Sequence, residues 1–157
     1  MNNRYLNIYN NLIKLTRSKF LYINLKENET FSDRMTFLLL HLSFFFKNFK
    51  KNHPKDELQE LHDFIFKQIE ISIREMGFGD VSINKNMKKY VNFFYQILSK
   101  IDKWENYNFD QKGEILSYFV NKPKNIEFYT NYFDKLITLY KNNTLNYFAK
   151  DIEEIKI

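Results

Sequence analysis

A chain of 157 residues with 3 glycines and 2 prolines has very little material for turns. β-Hairpins and sandwiches reverse direction often, and their tight reversals lean on Gly and Pro. Here the apolar residues instead recur three and four apart over long stretches, the period of an amphipathic helix. The predicted architecture is all-α, one compact domain over residues 1–157 with six or seven helices.

Periodicity and breakers set the expected elements. Helix one covers about residues 4–18, with Leu6, Tyr9, Ile13 and Thr16 on one side, and an extended connector runs from Phe20 to Thr30. Helix two follows over about 31–51, capped by Thr30 or Ser32; Phe31, Met35, Leu38, Leu42, Phe45 and Phe49 form one stripe, and further Leu and Phe fill its other faces. A helix apolar nearly all round is buried, so this one is expected at the centre. Successive side chains rotate about a helix axis, so at least one of Phe44, Phe45 and Phe46 is expected at an edge or interface. Pro54 opens helix three (about 56–76), and helix four covers about 83–107 with Met87, Val91, Phe94, Leu98 and Ile101 inward. Asp110 is the expected cap of a short helix five ending near Val120. Helix six spans about 126–141, and a short acidic helix or frayed tail closes the chain.

Composition narrows the chemistry. Without cysteine there are no disulfides, thiolate zinc sites or cysteine nucleophiles. His41, His53 and His62 offer no ligand spacing, and His41, between Leu40 and Leu42, reads as a hydrogen-bonded core histidine rather than a metal or haem ligand. No nucleophile–base pair, paired carboxylates or phosphate loop can be assembled, which points to a non-enzyme without cofactor or metal. The net charge of +5 is mild, and 20 Lys against 4 Arg in a chain rich in Asn, Ile and Tyr fits AT-rich coding. DNA is not an expected partner. The strongest apolar run, Met35 to Phe46, is 12 residues, short of the roughly 20 a spanning helix needs. No signal-peptide core follows the N-terminal Met1-Asn2-Asn3-Arg4.

Two of the three glycines fall in one loop between helical segments, within Arg74-Glu75-Met76-Gly77-Phe78-Gly79-Asp80. Gly77 is placed to end helix three in the left-handed conformation, and Gly79 marks a second position expected to lack room for a side chain. Beyond the loop, Lys85, Lys88 and Lys89 crowd the expected start of helix four, where the helix dipole disfavours cations. Such a patch suits an acidic partner, RNA or phospholipid headgroups; a solvated face produced by codon bias is the plain alternative. For Arg74, Glu75 and Asp80 the choice is between a recognition patch and local pairing, through Glu70–Arg74 or Arg74–Asp80, with Arg74 internal.

This ordered set resembles the ubiquinol–cytochrome c chaperone family. The centre is Arg-Glu-x-Gly-x-Gly-Asp at 74–80; Asn10 to Arg17, Phe31-Ser32-Asp33-Arg34-Met35, Leu40-His41-Leu42 and Leu61 to Phe66 extend it over about residues 8–105. Arg17, Arg34 and Arg74 all stand at motif positions in a chain that otherwise uses Lys, which suggests a need for the planar guanidinium. The resemblance implies a non-enzymatic assembly factor for respiratory complex III that handles newly made cytochrome b or another assembly component. Without the N-terminal extension of mitochondrial members, a compact bacterial-type member is expected, cytoplasmic or peripheral to the inner membrane. The implied binding residues are Arg74, Glu75, Gly77, Phe78, Gly79, Asp80, Lys85, Lys88 and Lys89, beside an apolar groove rimmed by lysines. The lysine patches would meet a ribosome or an anionic membrane. The alternatives are a helical interaction module on the ribosome or membrane surface, and a small apolar-ligand or lipid carrier with an enclosed cavity.

Overall fold

The computed structural model describes residues 3–157. The chain is all-α: α1 (Asn3–Thr16), α2 (Lys19–Ile23), α3 (Phe31–Phe49), α4 (Lys55–Glu75), α5 (Asp80–Ile101), a 3-10 turn (Trp104–Asn106), α6 (Phe109–Phe119), α7 (Ile126–Lys141) and α8 (Leu145–Phe148). The six longer helices are those predicted. The connector before α3 differs from its expected extended form, since Lys19–Ile23 makes one helical turn that drives Leu21 into the core. That connector is pinned by an antiparallel bridge between Leu25 and Pro123, with Lys26 N–H donating to the Lys122 carbonyl at 2.9 Å.

α3 is central, as its composition requires. Of its 19 residues, 13 are buried, and α1, α5 and α7 pack around it. The expectation of an edge position among Phe44, Phe45 and Phe46 is overturned: all three are buried. The side chains do fan around the axis, but neighbours cover each direction. Phe44 stacks on Phe133 and meets the Trp104 edge, Phe45 packs on Tyr140 and Phe148, and Phe46 packs on Phe94.

Helix ends follow local hydrogen bonding. Thr30 caps α3 in a capping box: its hydroxyl accepts from Asp33 N–H at 3.1 Å, and the Asp33 carboxylate accepts from Thr30 N–H at 3.0 Å. Asn108 caps α6 by the same reciprocal bonds with Gln111, in place of the expected Asp110. α5 stops at Ile101, short of the predicted 107, because a turn sends Trp104 inward to donate its indole N–H to Asp134 at 2.9 Å. Trp104 keeps the apolar spacing of Ile97 and Ile101, so periodicity hides this break. The tail beyond α8 is not helical. It is tied to α1, where buried Asn11 donates to the carbonyls of Phe148 and Lys150 at 2.8 Å each.

His41 is a core histidine. Its Nδ1 lies 2.6 Å from the Phe37 carbonyl and its Nε2 lies 2.6 Å from the Tyr132 hydroxyl. A carbonyl can only accept, so Nδ1 carries the proton and Nε2 accepts from Tyr132. Burial pushes its pKa down to about 4. Burial likewise raises the phenols of Tyr132 and of Tyr140, which donates to the His41 carbonyl at 3.1 Å.

Candidate functional site

The α4–α5 loop forms as a tight turn. Gly77 has φ +92°, and its N–H donates to the Arg74 carbonyl at 3.0 Å, closing the last turn of α4 where a Cβ would be strained. Gly79 does not play the expected part: it is the N-cap of α5 with φ −74°, and a Cβ on it would meet open space. Arg74 pairs with Asp80 at 2.6 Å, which raises the guanidinium pKa chiefly through that hydrogen bond. Glu70 is taken by Lys67 instead, at 2.5 Å. The pairing is local, as expected, but Arg74 is not internal: its side chain is 53% exposed and that of Asp80 81%. An ion pair this open contributes little stability. Glu75 and Phe78 are exposed beside it.

Lys85, Lys88 and Lys89 are all exposed along α5. The helix begins at Asp80, three residues before the expected Ile83, so these lysines lie past the first turn and Asp80 occupies the dipole-favoured position. The dipole conflict drawn from the sequence is thereby removed. Their common face remains.

An apolar concavity that takes Met76, next to the loop, into its lining lies between α1, α2, the start of α3 and the end of α4. It is a groove of about 640 Å³ whose apolar lining includes Ile13, Tyr22, Ile23, Met35, Leu38 and Met76. Its base is fixed, with Met35, Leu38 and Ile69 all buried. Its lip is open, with Ile23 55% and Met76 52% exposed. Tyr22 closes one end by donating to the Thr16 carbonyl at 2.6 Å, and burial raises its phenol to about 12.

Arg17, Lys19 and Arg34 border this groove against a single acid, Glu29. Arg34 lies 5.9 Å over the Phe31 ring, a guanidinium–aromatic contact that holds it at the rim. The rim is thus mostly arginine rather than the expected lysine, and none of Arg74, Glu75, Gly77, Phe78, Gly79, Asp80, Lys85, Lys88 and Lys89 lines the groove. Arg17 and Arg34 are the functional candidates that the implied binding set omitted. Their signal was present in the sequence, as two of four arginines in a lysine-rich chain.

Among the described residues no group of three or more His, Asp or Glu is placed to hold a metal ion. No helix of the described residues is long and apolar enough to cross a membrane.

No curated protein and no solved structure matches the chain. A family model described as "Ubiquinol-cytochrome C chaperone" matches residues 24–112. The matched stretch begins at the end of α2 and runs into α6, so α1 and Arg17 lie outside it, whereas the resemblance in sequence was drawn from about residue 8. It includes Arg34, the glycine loop and the lysine face of α5. Spanning more than half of the chain, the match shows that this protein belongs to the ubiquinol–cytochrome c chaperone family, whose general role is that of an assembly factor.

Proposed function

We propose that this protein is a non-enzymatic assembly factor for respiratory complex III. It holds newly made cytochrome b, or a partner in its maturation, until the complex is complete. The family match over 24–112 carries this reading. The groove between α1 and α4 supplies the physical means: a fixed apolar base, an open lip and a cationic rim, the form that accepts one face of an amphipathic helix. The open lip also favours a protein segment over a small ligand sealed within a cavity. Such a protein works in the cytoplasm or on the surface of the inner membrane.

An assembly factor is needed while a complex is built and not while it turns over. Deleting the gene is expected to lower assembled complex III and its cytochrome b haem signal. Mature complex III purified away from this protein is expected to turn over normally. Normal complex III levels in the deletion strain overturn the cytochrome b role and favour an interaction module with another partner.

A further inference from the structure

The tip of the α4–α5 hairpin is built in a way that the groove does not explain. Phe78 and Val81, neither of them in the groove lining, are 41% and 84% exposed. They flank an open stretch of chain: a Cβ at either Gly77 or Gly79 would meet no atom within 4 Å. Backbone hydrogen bonds close the loop at both ends, Gly77 N–H to the Arg74 carbonyl at 3.0 Å and Ile83 N–H to the Gly79 carbonyl at 2.9 Å, so the apolar side chains are presented by a defined turn. Val81, Lys85, Lys88 and Lys89 follow at spacings of four, seven and eight, which places them on one face of α5. Ile83 and Phe94 are buried, with Met87 and Tyr90 half-buried, and these mark the opposite face. From Val81 to Ile101 α5 contains no Asp or Glu. The helix therefore offers an apolar point followed by a wholly cationic strip.

We propose that this tip and strip form a docking surface for an anionic lipid bilayer, with Phe78 and Val81 entering the headgroup–acyl boundary and the three lysines meeting lipid phosphates. Charge complementarity and shape choose the occupant. A cationic strip behind exposed apolar side chains is the pattern of interfacial binding. RNA would use several aromatic platforms for its bases, and the tip offers a single ring, Phe78, beside Val81, which has no face for stacking. A tip whose apolar side chains stand in open space also suits a deformable surface better than a pocket in a folded partner. The proposal does not depend on which client occupies the groove.

The test is flotation of the purified full chain with vesicles of pure phosphatidylcholine and with vesicles in which about a third of the lipid is phosphatidylglycerol. Two variants are compared, Phe78→Asp/Val81→Asp and Lys85→Glu/Lys88→Glu/Lys89→Glu. All five side chains are exposed, so both variants should keep the parental circular dichroism and thermal midpoint. The expected result is binding to the anionic vesicles only, weakened by salt and lowered at least about tenfold in each variant. Equal binding to both vesicle types, or no loss in the tip variant, overturns the proposal. A single-stranded oligoribonucleotide provides the remaining arm: RNA binding that the lysine variant loses and the tip variant keeps, without vesicle binding, assigns the strip to RNA.

Discussion

In a Phe45→Ala variant the free energy of unfolding is expected to fall by about 3–5 kcal/mol, measured by denaturant titration. Phe45 is fully buried. Its ring lies 4.6 Å from Phe49, 5.4 Å from Tyr140 and 5.7 Å from Phe148, centroid to centroid. Truncation removes the contact surface on which α7 and α8 meet α3, and rigid aromatic neighbours close poorly over the space left behind. Phe45→Leu keeps most of the volume and should cost about 1.5 kcal/mol or less. A loss below about 1 kcal/mol for the alanine variant would mean that the centre of α3 is not packed as described.

Acid should weaken the fold before most carboxylates protonate, and His41 is the cause. Its folded pKa is depressed to about 4 by burial, against an ordinary value of 6.5. Between these values the unfolded chain takes up a proton that the folded chain refuses. Stability is therefore complete above pH 6.5 and falls as pH drops towards 4, by about 3 kcal/mol in all. Carboxylates act later. Asp63, Glu70 and Glu105 are held below their ordinary values of 3.8, 4.5 and 4.5, chiefly by hydrogen bonds from His62, from Lys67 and from the Glu105 backbone respectively. What they contribute is lost only below about pH 4.5. His41→Gln should flatten the slope between pH 6.5 and 4.5, whatever its cost at neutral pH. An unchanged slope would place the acid sensitivity elsewhere.

The long helices were legible because each carries an apolar stripe of several turns, and α3 declared its central place by being apolar on every side. What periodicity cannot show is what surrounds a helix. Rotation of Phe44, Phe45 and Phe46 about the axis was read correctly, but their burial depends on α5, α7 and α8 covering all three directions. α2 is one turn long and has no period to detect. Gly77 was legible because a left-handed helix end has a residue preference; Gly79 merely occupies an N-cap position where Gly is tolerated. The groove was the least legible feature. It draws on α1 through α4, and residues such as Ile13, Met35 and Leu38 look like ordinary core until the lip formed by Ile23 and Met76 is seen to be open. Arg17 and Arg34 stood out by type, yet only the fold brings them to one rim.

The proposed role turns on whether cytochrome b occupies that groove. A photo-cross-linking residue placed at Ile23 or at Met76, both exposed at the groove lip, reads this directly in cells making complex III. Tyr118, 68% exposed on α6 and outside the groove lining, is the control position. Newly made cytochrome b trapped from Ile23 and Met76 but not from Tyr118 is the predicted result. No cytochrome b adduct from either lip position, or an equal yield from Tyr118, would contradict the assignment.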